Sequence, residues 1–112
     1  TLKNPVHALN LSKVSREIKI LHPEGLVIAV DALLGQKKDL GYLTIADGAL
    51  YPGATVQKEL PPVGNIHITG IVNIAGVLEQ LTLQTTRLST VISLADTITQ
   101  GIVNYTNSLI CL

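Results

Sequence analysis

The chain has 112 residues, 46% of them hydrophobic, with eight Lys and Arg against eight Asp and Glu; this is material for one domain with a core of modest size, and a second domain is not expected. The even charge balance offers no basic face to a phosphate backbone and no acidic tail, so nucleic acid is not expected as a partner. The longest stretch free of Lys, Arg, Asp and Glu, Leu60 to Leu78, contains Pro61, Pro62, Gly64, Asn65, His67 and Gly70, which is incompatible with a membrane span.

No basic-then-apolar leader opens the chain, so a cytoplasmic location is expected. The single cysteine, Cys111, sits in an apolar run and reads as a small core hydrophobe in a reducing compartment. There is no methionine, so Thr1 is not expected to be the initiating residue and further sequence is expected upstream.

In chain order, Pro5 to Leu9 reads as a short strand, and Asn10 or Ser12 can cap a helix over residues 12–21 whose Val14, Ile18 and Leu21 recur at helical spacing. His22-Pro23-Glu24-Gly25 ends that helix, because the residue before a proline is pushed out of the α region. Leu26 to Val30 is an uninterrupted apolar run, the pattern of a strand buried on both faces, and Asp31 follows it directly. Strand, helix and buried strand together predict a right-handed βαβ unit, with the Leu26–Val30 strand central and parallel to the one near Val6.

Gly41 to Ala46 predicts another strand. The nine residues from Ala32 to Leu40 are too few for a parallel crossover, so this strand is expected to run antiparallel at a sheet edge. Asp47 to Asn65 is rich in Pro and Gly and predicts a long loop covering a cleft at the carboxyl end of the Leu26–Val30 strand. Ile66 to Val72 is the next strand, and from Ala75 onward the chain reads as helical. Its apolar face is Leu88, Val91, Ile92, Ala95, Ile98 and Ile102, with weakening at Gly101 and fraying at Thr106-Asn107-Ser108.

Asp31 is the sharpest chemical feature, because open α/β sheets bind ligands beyond the carboxyl ends of their parallel strands. The alternative is an aspartate that caps the following turn or pairs with Lys37 or Lys38. Asp47-Gly48 is first a turn signal, and second a source of another carboxylate near Asp31. His67, with Thr69 and Ile71 on its own strand face, reads either as a core histidine with a bonded ring nitrogen or as a substrate contact. Lys58 and Glu59 read as solvated loop residues that could also meet a substrate. Paired metal-ligand histidines, a Walker loop and a nucleophile elbow are all missing from the sequence, and no cofactor or metal is expected.

The run Leu26 to Leu33, the block Gly41 to Ala54 with its Asp47-Gly48 and Pro52-Gly53, and Ile66-His-Ile-Thr-Gly70-Ile-Val resemble the core of the spore germination protease. Pro5 to Asn10, Ile66 to Asn73 and Thr86-Arg87-Leu88 resemble more closely the YyaC-type sporulation family, in the same order over nearly the whole chain. The resemblance implies the three-layer α/β/α, phosphorylase/hydrolase-like fold with a mixed, mostly parallel sheet, shared with hydrogenase maturation endopeptidases and here lacking its N-terminal segment. It further implies a sporulation-associated peptidase of the forespore or spore interior. Asp31 would then be catalytic with an upstream aspartate, and Asp47, Pro52, Gly53 and His67 would lie at the substrate. Tyr51 stands where the germination protease has a histidine.

The partners expected are a peptide or protein substrate, such as a spore protein, with homo-oligomer formation as a further expectation. The rival expectation is a non-catalytic member that uses the same groove to bind a peptide or protein. A third, a maturation endopeptidase, would use Asp31 as a nickel-sensing ligand.

Overall fold

The computed structural model describes residues 3–52, 60–76 and 78–110. Its elements are helix α1 (Leu11–Leu21), strand β1 (Ile28–Gly35), a 3-10 turn (Lys37–Asp39), strands β2 (Leu43–Asp47) and β3 (Ile66–Ile74), and helices α2 (Glu79–Gln84) and α3 (Leu88–Ile110). The strands form one sheet of order β1-β3-β2. Val27 O accepts from Asn65 N at 2.7 Å and Gly35 O accepts from Ala75 N at 2.8 Å, so β1 and β3 advance together and are parallel. Gly41 N donates to Ile71 O at 2.8 Å and Gly48 N to Asn65 O at 2.8 Å, so β2 advances as its partner recedes. The protein is thus α/β with a small mixed sheet, and β2 is the antiparallel edge strand that the short connection requires.

The chain divides into two compact units, Thr1–Asp31 with Thr44–Thr69, and Ala32–Leu43 with Gly70–Leu112. In the first unit the expected strand at Pro5–Leu9 is not formed. Asn10 Oδ1 accepts from His7 N at 2.8 Å and Asn10 Nδ2 donates to Pro5 O at 3.0 Å, which curls this segment into a turn ahead of α1. A short polar side chain here offers the backbone an alternative to a sheet ladder, and Pro5 has no N–H to give to one. Helix α1 ends as predicted: His22 N reaches Ile18 O at 2.8 Å and Gly25 N reaches His22 O at 3.1 Å. Within it Leu11, Val14 and Ile18 are half-buried, while Ile20 and Leu21 stay exposed.

Two further expectations for this unit are corrected. Among the described residues β1 has a neighbour only in β3, so it is an edge strand and the predicted βαβ unit is not formed. Nor does β1 stop at Asp31; it continues to Gly35, because Ala32, Leu33 and Leu34 prolong the apolar run and the nine-residue β3 offers a template of matching length.

The loop after β2 also departs from its predicted place. Leu50 and Val63 exchange backbone bonds at 2.7 and 2.8 Å, so the described arms of the loop extend the β2–β3 pairing beyond Asn65. Asn65 faces Val27, at the amino end of β1, and the antiparallel register therefore carries the loop away from the carboxyl end it was expected to cover. Gly53, Lys58 and Glu59 lie outside the described residues.

In the second unit Gly70 lets α3 approach β3. A Cβ built on it would stand 3.2 Å from Leu94 Cδ1 and 3.3 Å from Leu43 Cδ2. Leu94 and Val72 are the buried apolar side chains here. The helical face is narrower than predicted: Thr90, Leu94, Ile98 and Ile102 are half-buried or buried at spacings of four, whereas Leu88, Val91 and Ile92 are exposed. The helical stretch after Ala75 comes as two helices, with Thr85 and Thr86 turning their hydroxyls back onto Leu81 O (3.0 Å) and Thr82 O (2.9 Å) where the first one ends. Fraying at Thr106–Ser108 is not seen: Thr106 Oγ1 donates to Ile102 O at 2.7 Å and Ser108 Oγ to Tyr105 O at 2.7 Å inside α3. Cys111 lies outside the described residues.

Two glycines should respond in opposite directions. Gly64 has φ +90° and its Cβ position lies 3.0 Å from Ala29 Cβ and 3.1 Å from Ile66 O, so Gly64→Ala is expected to destabilise by roughly 2–4 kcal/mol. Gly101 in α3 has nothing within 4 Å, and Gly101→Ala is expected to stabilise by roughly 0.5–1 kcal/mol. Urea unfolding midpoints of the two variants check both signs.

Candidate functional site

The site follows from which way the backbone of β3 faces. Ile71 donates to Tyr42 O at 3.0 Å and accepts from Gly41 N, and Asn65 O accepts from Gly48 N, so the odd-numbered residues of β3 turn their backbone groups to β2. The even-numbered ones turn to β1, where Ile66 N reaches Val27 O at 3.4 Å. In a parallel pair, a residue facing its neighbour sits across from the residue between the two it bonds. Val27 is therefore level with Asn65, Ala29 with His67, and Asp31 with Thr69. On the antiparallel side Ala46 is level with His67 and Thr44 with Thr69.

Alternation then gives one sheet face two consecutive rows, Ala29-His67-Ala46 and Asp31-Thr69-Thr44. Asp31 does not stand at a strand end; it is half-buried in the middle of β1, and it has hydrogen-bonding or electrostatic partners of its own. Beside it Thr69 is only 4% exposed, a buried polar residue among buried apolar ones. Its Oγ1 hydrogen-bonds Thr44 Oγ1 across the β2–β3 pair, and Thr44 is exposed. Within this row a carboxylate and two hydroxyls cross the whole sheet.

His67 is half-buried, and its Nδ1 lies 3.0 Å from Gly48 O. A carbonyl only accepts, so Nδ1 carries the proton, and in the neutral ring Nε2 is left as the acceptor. The ring is thus held by the backbone turn of Asp47-Gly48, in the way expected of a strand histidine with a bonded nitrogen. It shares the face of Asp31, one row away, roughly 7 Å along β3.

Of the other residues singled out in the sequence, Asp47 and Pro52 are among those described, and neither is gathered here. Asp47 is level with Ile66, so alternation turns it to the opposite face from Asp31, and it is exposed. Pro52 follows the Leu50–Val63 bridge, beyond the amino end of β1. The described residues hold no group of three His, Cys, Asp or Glu placed to bind a metal ion, and none of their helices is long and apolar enough to cross a membrane. Thr44 escaped sequence reading because a strand threonine carries no signal of its own; only the pairing register shows that it meets Thr69.

Residues 1–101 match the model of a family described as "Protein of unknown function (DUF1256)". The chain belongs to this family. It is 49% identical over 102 residues to the uncharacterized protein YyaC of Bacillus subtilis (strain 168), an alignment that takes in 91% of this chain and 50% of that protein. The YyaC-type resemblance is therefore a family relationship, and the chain spans about half the length of the curated relative it matches. No solved structure matches the chain.

The hydroxyl pair gives a test of the register. Thr44→Val deprives the buried Thr69 hydroxyl of its partner and is expected to destabilise by roughly 1–2 kcal/mol. The double variant Thr44→Val/Thr69→Val is expected to lose less than the sum of the single variants, with a coupling of about 0.5–1.5 kcal/mol. A urea-denaturation double-mutant cycle measures it, and additive losses would place the two side chains apart.

Proposed function

We propose that this chain is part of a sporulation-associated peptidase of the germination-protease type, in which Asp31 is one of two catalytic carboxylates. The observation that supports this most is the placement of Asp31: a half-buried carboxylate on a rigid strand, in a row with a buried hydroxyl, on the face that also carries His67. Asp47 faces the other way, so the second carboxylate comes from outside the described residues, as the germination-protease resemblance implies. One carboxyl, ionised, takes a proton from the attacking water, and the other, protonated, gives one to the leaving nitrogen; a pair sharing one proton supplies both forms at once. We further propose that the full-length protein completes a three-layer, phosphorylase/hydrolase-like sheet and acts in the forespore or spore interior.

One observation favours a second reading, a non-catalytic peptide-binding module. The backbone groups of Ile28, Val30 and Leu34 turn away from β3 on the outer side of β1, and Val30 is 54% exposed. An extended peptide can add to such an edge as a further strand.

Asp31→Asn in the full-length protein separates the two. The change is nearly isosteric, so stability should alter by less than about 1 kcal/mol. Peptidase activity on spore proteins should fall on the order of 100-fold to 10,000-fold, because an amide cannot take up the proton. Unchanged cleavage in the folded variant removes Asp31 from the chemistry, and peptide capture without cleavage in both proteins favours the binding module.

A further inference from the structure

Asp47-Gly48 is the place in this sequence where glycine follows an aspartate; Asp31, Asp39 and Asp96 precede Ala32, Leu40 and Thr97. Glycine leaves the backbone nitrogen after the carboxyl unshielded by a side chain, so the carboxyl carbon can close on that nitrogen in a five-membered ring. Both residues are exposed, and water reaches them. A Cβ placed on Gly48 would meet nothing within 4 Å, so packing does not crowd the nitrogen either.

In the folded protein hydrogen bonds oppose this chemistry. Gly48 N donates to Asn65 O at 2.8 Å, and Gly48 O accepts from His67 Nδ1 at 3.0 Å. Asp47 is the last residue of β2, and the Leu50–Val63 bridge continues the pairing beyond it. The dipeptide is thus held on both sides along the ladder, with Gly48 in the left-handed region at φ +96°. Ring closure requires the Gly48 nitrogen to turn toward the Asp47 side chain, which breaks its bond to Asn65 O. Opening the end of one ladder is a local event and does not need the whole domain to unfold.

We propose that Asp47-Gly48 is a site of spontaneous isoaspartate formation whose rate is gated by the β2–β3 pairing. The Gly48 nitrogen bonds to Asp47 Cγ, the amide proton and the carboxyl hydroxyl leave together as water, and a succinimide results. Water then adds to one of the two ring carbonyls. Addition at Cγ restores aspartate; addition at the former backbone carbonyl leaves the main chain running through Cγ, with no net change in mass. The isoaspartyl linkage adds one main-chain atom between Ala46 and Gly48, a stretch whose register the pairing fixes. The carbonyl that anchors the His67 ring lies immediately beyond that change.

The test ages the full-length protein and a synthetic peptide spanning residues 44–51 side by side, in one neutral buffer made with heavy-oxygen water. Fragmentation mass spectrometry then locates isoaspartate and the incorporated oxygen. The peptide is expected to accumulate isoaspartate at Asp47, and the folded protein to do so at least about tenfold more slowly, the protection that one net hydrogen bond supplies. Asp47→Glu, which would have to close a six-membered ring, is expected to abolish the signal. Equal rates in the peptide and the folded protein overturn the gating. A peptide that forms no isoaspartate, or a signal that persists in Asp47→Glu, overturns the site.

Discussion

Among the described residues, both other strands of the sheet pair with β3. It pairs in parallel with β1 on one side and in antiparallel with β2 on the other, and it carries three of the buried side chains, Ile68, Thr69 and Val72. A strand bonded on both sides has its backbone register fixed twice, and a slip of one residue would turn all its side chains to the wrong face. That double constraint aligns Asp31, Thr69 and Thr44, which are separated in sequence by loops and by a change of strand direction. It also sets the course of the long loop, whose arms continue the β2–β3 pairing past Asn65.

The energetic weight at this centre is uneven. Among the described residues the buried apolar ones are few (Ala29, Ile68, Val72 and Leu94), and large apolar side chains such as Leu9, Ile20, Leu26 and Leu88 remain exposed. A core of that size contributes modestly, so a buried polar group within it matters more than it would in a large domain. The Thr69 hydroxyl is tolerable because it is bonded; without a partner it would carry a desolvation penalty of about 1–3 kcal/mol. A buried, satisfied hydroxyl beside a carboxylate is a combination that hydrophobic packing alone would not select, since valine would fill the same space.

The geometry also bears on which groups can act together. Asp31 and His67 share a face, but the ring is anchored through Nδ1 to the Gly48 carbonyl, which makes Nδ1 the donor. Asp47 precedes the Gly48 carbonyl that holds this ring and, by alternation, lies on the opposite face of β2 from Asp31's row. Among the described residues, Asp31 is the one strand carboxylate that alternation places on this face.

The sequence by itself determined the local elements: α1 between Asn10 and the His22-Pro23 stop, the antiparallel edge strand β2, the strand from Ile66, and the helical character of the last third. Each of these rests on short-range physics, namely apolar periodicity, proline's exclusion of the α region and the few residues available for a crossover. It also put Thr69 on the face of His67, since alternation is a property of a single strand. Tertiary structure decided everything that depends on pairing between strands. Whether β1 is central or at an edge, whether Asp31 lies at a strand end or inside, and at which end of β1 the long loop leaves the sheet are set by hydrogen bonds between segments dozens of residues apart. The segment Pro5–Leu9 shows the same limit at short range: its composition suits a strand, but without a partner to pair with, the side chain of Asn10 holds it in a turn.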